Sequence, residues 1–309
     1  MTSPIAILQT AVLPGSVEAR LRSIFDVIHW PDDRAGQADV LARHGARIRA
    51  IAGSGKGRVD AELIAALPAL EVVSSYSAGL DRIDTDALAR RNIAVFNTSE
   101  ALAEEVADIA HWLLMSVSRA LVAADRFVRA GGWIEGGFPL TRSLQDLKVG
   151  ILGLGRIGKA LARRLEVTGA VLGYHGRRRQ DGIAHAYFAT LHELADWSDA
   201  LIVCCPATPE TVSLIDRAVL DRLGPQGVVV NIARGTIIDE PALIAALAEN
   251  RIAGAGLDVF ADEPNVPQAL IGDPRVVLLP HVGSATVQTR DRMGEMTVAA
   301  LTRHFGLDA

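Results

Sequence analysis

The sequence predicts an α/β protein built from two doubly wound parallel sheets, and three observations carry that prediction. At 309 residues the chain is long enough for about two domains of roughly 150 residues each. Short aliphatic, β-branched runs alternate with amphipathic stretches, the order that parallel sheets with covering helices require. A glycine-rich turn joins one such run to one such stretch within residues 149–165. With 50% hydrophobic and 22% charged residues the composition is globular rather than disordered. A chain of this size buries enough surface to need no disulfide or metal staple.

In the first hundred or so residues, strands are expected at residues 5–8, 27–30, 47–52, 71–75 and 93–96, with helices such as 17–24 and 60–67 between them. Residues 103–130 contain no Gly or Pro. They place Val106, Ile109, Leu113, Leu114, Val117, Leu121 and Phe127 at helical spacing. One long helix is therefore expected, ended by Gly131 and Gly132. A second series of strands comes next at 148–152, 170–174, 200–205, 227–232, 253–259 and 276–279, and a last helix spans 287–305. There is no internal repeat or low-complexity tract.

Thirty-one Lys and Arg against 36 Asp and Glu give a net charge of −5, which disfavours a nucleic-acid or anionic-membrane surface. The only cysteines, Cys204 and Cys205, lie in an apolar run and are read as reduced core thiols. The N-terminal residues lack the charged start and apolar length of a signal peptide, and no stretch approaches the roughly 18 apolar residues of a membrane span. The expectation is a soluble, cytoplasmic protein that acts on a small molecule, with neither nucleic acid nor membrane as partner.

The run G-L-G-R-I-G supplies Gly153 for a tight turn, Gly155 for close approach of backbone to a pyrophosphate, and Gly158 for close packing of helix on strand. The free amides and dipole of the helix N-terminus would hold the phosphates. An NAD site usually carries an acid at the end of the next strand, about 20 residues past the glycines. Here that strand runs into Arg177, Arg178 and Arg179, with no acid before Asp181. Guanidinium groups can hold a 2′-phosphate that a carboxylate would repel, so NADP(H) is the expected cofactor. A solvated turn is the competing reading of the three arginines.

Three further motifs begin at expected strand ends, where open parallel sheets present their ligands. They carry Arg234, Glu263 and His281. Arg234 can bind a 2-oxo acid and polarise its carbonyl. His281 can protonate the oxygen as hydride reaches the carbon, and Glu263 can fix the imidazole tautomer and favour its charged form. Taken singly, each has a bland reading: a strand cap, a loop acid, a structural histidine.

The motifs G-L-G-R-I-G, N-I-A-R-G-T-I-I-D, G-L-D-V-F-A-D-E-P and L-P-H-V-G-S-A-T resemble, in order and spacing, the D-isomer-specific 2-hydroxyacid dehydrogenase family. The resemblance implies a Rossmann-type NADP-binding domain, residues 99–285, inserted into a flavodoxin-like substrate domain made of residues 1–98 and 286–309, with the active site in the cleft between them. It implies Arg234, Glu263 and His281 as the catalytic set and Asp258 near the nicotinamide. Cofactor contacts are implied for Arg156, Ile157, Pro206, Thr211 and Ile232, beside Arg177 and Arg178. Ser77, Ala78 and Gly79 resemble the family's carboxylate-binding loop, with Ser54 placed on the same cleft. Trp133 corresponds to a region that lies at the subunit interface of family dimers, so a homodimer is expected, with Trp133 reaching the partner's active site.

The S-Y-S-A-G-L-D stretch and the arginines look most like the NADPH-dependent glyoxylate/hydroxypyruvate reductase subgroup. Phosphoglycerate, D-lactate and hydroxyphenylpyruvate enzymes are the nearby alternatives, and a dinucleotide-sensing, corepressor-like binding protein is the alternative of a different kind. The long phosphoglycerate dehydrogenases add a regulatory domain, for which no room is expected after the last motif.

Overall fold

The structure, a computed structural model, describes residues 4–54 and 57–307. The chain forms two compact units, Met1–Leu102 with Ala285–Ala309, and Ala103–Ser284.

In the first unit, β1 (Ala6–Gln9), β2 (Asp26–His29), β3 (Ile48–Ser54), β4 (Val72–Tyr76) and β5 (Ala94–Asn97) form a parallel sheet in the order β2-β1-β3-β4-β5. This is the flavodoxin-like order, and every strand lies within two residues of its expected place. Ile7, Leu8, Ile48, Ile51, Val72 and Val73 are fully buried, as strands covered on both faces require. Asp33, Asp60 and Asp84 start three helices by accepting a hydrogen bond from a first-turn amide. The last helix, Val287–His304, returns to this sheet: the Ser74 hydroxyl donates to the Thr297 carbonyl at 3.1 Å and the Tyr76 hydroxyl to that of Arg290 at 2.9 Å. The two ends of the chain thus share one core.

The second unit holds β6 (Lys148–Leu152), β7 (Val171–His175), β8 (Ala186–Phe188), β9 (Ala200–Val203), β10 (Val228–Asn231), β11 (Gly254–Leu257) and β12 (Val276–Leu278). They run parallel in the order β12-β11-β10-β9-β6-β7-β8, the Rossmann arrangement extended by one strand. Chain order reverses between β6 and β9, and the glycine turn leaves β6 at that point. Strand β8 escapes the sequence pattern because it has only three residues on the sheet edge, where pairing with β7 rather than burial decides its conformation.

The expected single helix over 103–130 is instead two, Ser99–Ser118 and Leu121–Arg129, bent by 61°. Ala120 adopts a left-handed φ of 47° between them. The Ser118 carbonyl accepts the Arg142 amide at 3.1 Å, and the Arg119 guanidinium donates to the Thr141 hydroxyl at 3.0 Å. A segment more than twenty residues downstream therefore competes for the backbone that would have continued the helix. Gly131 then ends the second helix at φ 80°, as its type suggests. Among the described residues no single helix is long and apolar enough to cross a membrane, although this bent pair passes the same test when taken together.

Helix Arg156–Glu166 packs so closely on the turn before it that a Cβ on Gly158 would stand 2.3 Å from the Gly153 carbonyl oxygen. Gly158→Ala should force helix and strand apart and lower the unfolding free energy by about 1–3 kcal/mol, read from urea denaturation. An unchanged midpoint would show that this approach is not tight.

Candidate active site

The turn after β6 has its glycines where backbone needs the room. Gly153 takes φ 95°, and a Cβ there would lie 2.7 Å from the Cys205 backbone. Its amide donates to the His175 carbonyl at 2.9 Å, joining the turn to the end of β7. Gly155 leads helix Arg156–Glu166 with no side-chain cap, and no atom stands within 4 Å of where its Cβ would be. An uncapped helix start with open space beside Gly155 fits a pyrophosphate. Arg156 and Ile157 open that helix, and Arg177, Arg178 and Arg179 are exposed just beyond β7. Guanidinium groups at this strand end fit a 2′-phosphate, so the residues present suit NADP(H). Pro206 and Thr211 belong to one loop after β9, where the Thr211 hydroxyl donates to the Pro206 carbonyl at 3.0 Å, and Ile232 is buried beyond β10.

Arg234, Glu263 and His281 all lie past the carboxyl ends of strands in the same sheet. Nδ1 of His281 stands 2.8 Å from Oε2 of Glu263, with both side chains partly open to solvent. Oε1 of Glu263 accepts the Phe260 amide at 3.2 Å, which orients the carboxylate on its own loop. With Nδ1 beside the acid, Nε2 is the ring nitrogen that Glu263 does not engage.

His281 itself is held in a left-handed conformation, φ 55°. Asp258 imposes it. The Asp258 carbonyl accepts the His281 amide at 2.9 Å, and its carboxylate accepts those of Val282 at 2.7 Å and Gly283 at 2.9 Å. Only 1% of Asp258 is exposed, and burial raises its carboxyl above the ordinary value of 3.8, against the two amides that oppose the shift.

Arg234 sits on the neighbouring loop. Asn231, buried at the end of β10, donates from Nδ2 to the Arg234 carbonyl at 2.9 Å and accepts the Ala233 amide at 3.0 Å. Gly235 presses that loop against the Glu263 loop, since a Cβ there would fall 1.9 Å from the Phe260 carbonyl carbon. Asn231 and Gly235 were not singled out from the sequence. Their signal was an Asn at a strand end, three residues before an Arg-Gly pair, a common way to build a loop around a side-chain amide.

Ser77, Ala78 and Gly79 belong to the first unit, in the loop after β4. The Ser77 hydroxyl shares a hydrogen bond with that of Ser75 at 2.7 Å and donates to the Gly79 carbonyl at 2.8 Å, and Asn97 holds the Ala78 carbonyl at 3.1 Å. The Ser54 side chain lies outside the described residues. Trp133 is 69% exposed. Cys204 and Cys205 are free thiols that burial makes less acidic, Cys205 pushed up to about 11.

A family model described as D-isomer specific 2-hydroxyacid dehydrogenase, NAD binding domain, matches residues 111–283. The chain is 44% identical to a hydroxyphenylpyruvate reductase of Plectranthus scutellarioides, over 97% of this chain and 96% of that protein. It is 43% identical to a glyoxylate/hydroxypyruvate reductase of Arabidopsis thaliana over the same shares. Among solved structures it resembles an NADPH-dependent glyoxylate/hydroxypyruvate reductase of Sinorhizobium meliloti in complex with NADP and malonate. That match has a TM-score of 0.90 and 43% identity, over 98% of this chain and 94% of that one. The oriented histidine and acid, the glycine turn at the switch point and these likenesses agree: the chain belongs to the D-isomer specific 2-hydroxyacid dehydrogenase family.

Proposed function

We propose that the chain reduces a small 2-oxo acid, glyoxylate or hydroxypyruvate, to the 2-hydroxy acid with NADPH. The observation that carries this reading is the Glu263–His281 hydrogen bond on the same sheet edge as the glycine turn. Relatives named for that activity, one solved with NADP, support the substrate class and the cofactor. The relative named for hydroxyphenylpyruvate favours a second reading in which the 2-oxo acid carries an aromatic side chain.

NADPH, when bound, supplies the hydride that reaches the carbonyl carbon. Its pyrophosphate is assigned to the turn of Gly153, Gly155, Arg156, Ile157 and Gly158, and its 2′-phosphate to Arg177 and Arg178. Pro206, Thr211 and Ile232 are assigned to the remaining cofactor surface. Arg234 holds the substrate carboxylate and draws electron density toward the carbonyl oxygen. The amides of Ser77, Ala78 and Gly79, in the first unit, are assigned to anion binding. His281 delivers the proton from Nε2 to the carbonyl oxygen. Glu263, beside Nδ1, fixes the orientation of the ring and so which nitrogen is offered to the substrate. Asp258 positions His281 through its backbone.

The first unit is assigned to substrate and the second to cofactor. A homodimer is assigned through the segment that exposes Trp133, Ile134 and Leu140, apolar groups that a second copy would cover. The adjacent free thiols of Cys204 and Cys205 suit a reducing cytoplasm.

A panel of 2-oxo acids assayed with NADPH and with NADH, compared by kcat/KM, tests the reading. Failure of the protein to oxidise NADPH with any of them would leave a dinucleotide sensor as the better account. His281→Ala should lower kcat by roughly 10²- to 10⁴-fold with cofactor affinity retained, and a near-normal rate would remove it as proton donor. Replacing both Arg177 and Arg178 by Ala should raise KM for NADPH by about 10- to 100-fold and leave KM for NADH nearly unchanged. Because burial raises the Asp258 carboxyl, its contribution to stability is fullest in acid and declines as pH rises past the ordinary 3.8. Thermal unfolding of Asp258→Asn should therefore move in favour of the variant, relative to the parent chain, from acid toward neutral pH. A constant difference would contradict the shift.

A further inference from the structure

The loop that carries the three arginines is fixed at both ends. Tyr174, 1% exposed at the end of β7, accepts the Gln180 amide on its hydroxyl at 2.8 Å. Tyr187 in β8 packs against it with the rings tilted by 55° and their centroids 5.3 Å apart, and donates its hydroxyl to the Gly176 carbonyl at 3.4 Å. Arg177, Arg178 and Arg179 lie between these two anchors, exposed. The Gln180 side chain then reaches back across the fold: Nε2 donates to the Leu154 carbonyl at 2.7 Å, and Leu154 lies between Gly153 and Gly155 in the glycine turn.

Three adjacent guanidinium groups repel one another, and each long side chain has several rotatable bonds to immobilise when it meets a phosphate. Left free, such a loop would bind its anion only after ordering itself. Two tyrosines and one glutamine remove the backbone part of that ordering cost in advance, and the Gln180 contact also ties the end of the arginine loop to the pyrophosphate turn.

We propose that Gln180 is a positioning residue for cofactor choice, which pre-orders the arginine loop against the glycine turn so that a 2′-phosphorylated dinucleotide is preferred. The proposal rests on the reading that Arg177 and Arg178 hold the 2′-phosphate. In this assignment Gln180 acts on the phosphate only through the arginine loop.

The test compares binding of 2′-phospho-ADP-ribose and of ADP-ribose by calorimetry, since both carry the diphosphate and differ only at the 2′ position. Gln180→Met keeps the length of the side chain and the backbone amide but removes the donor to Leu154. Tyr174→Phe removes the acceptor for the Gln180 amide. Each should weaken 2′-phospho-ADP-ribose by about 3- to 10-fold while ADP-ribose changes little, and the ratio of KM for NADPH to KM for NADH should rise by the same factor. Equal weakening of both ligands, or no change in either, would overturn the proposal, because a merely structural contact or a general loosening of the glycine turn cannot separate them. The variant lacking Arg177 and Arg178 is the control. If it too leaves the ratio of the two affinities unchanged, the phosphate assignment fails; if it collapses that ratio while Gln180→Met and Tyr174→Phe do not, only the role of Gln180 is lost.

Discussion

One buried carboxylate organises the rim of the second unit. Asp258 leaves the end of β11 with its amide on the Asn231 carbonyl, its own carbonyl on the amide of His281, and its two carboxylate oxygens on the next two amides. It thereby ties together the strand that leads to Arg234 and the loop that presents His281. A residue with a β-carbon costs energy to keep at a φ of 55°, and at His281 the acceptors of Asp258 on three consecutive amides offset that cost. The burial that raises the Asp258 carboxyl is what makes those hydrogen bonds strong, because little water competes for the amides.

Glycine does the complementary work of bringing backbones together. Gly153 fits against Cys205, Gly158 against Gly153, and Gly235 against Phe260, each with no space for a methyl group. These contacts press the turn after β6 against the segment after β9, and the loop after β10 against the loop after β11. The polar side chains above them can then stay partly exposed while the backbone beneath them is tied down by hydrogen bonds and close contacts. His281 and Glu263 are examples, with side chains 47% and 35% exposed.

Much of this was legible in order along the chain. Aliphatic runs separated by amphipathic stretches place every strand but β8 within two residues, most plainly the central ones, whose burial on both faces leaves little freedom in residue type. The glycine turn, the arginines and the Arg, Glu and His motifs were legible because each is local: a turn, a strand end, a short loop. The bend at Ala120 was not, since nothing in residues 103–130 forbids a helix, and its cause is the pairing of Ser118 with Arg142. Strand β8 was missed for a similar reason, as its conformation comes from its neighbour.

By itself, then, the sequence determined the class of fold, the succession of its elements and which side chains could do chemistry, since periodicity and residue type are properties of neighbours along the chain. Tertiary structure alone decided which of those side chains meet. The bond from His281 to Glu263 spans 18 positions, that from Gly283 to Asp258 spans 25, and that from Gln180 to Leu154 spans 26. Contacts of that kind depend on where the strands of the sheet come to lie side by side, and spacing in one dimension does not encode directions in three.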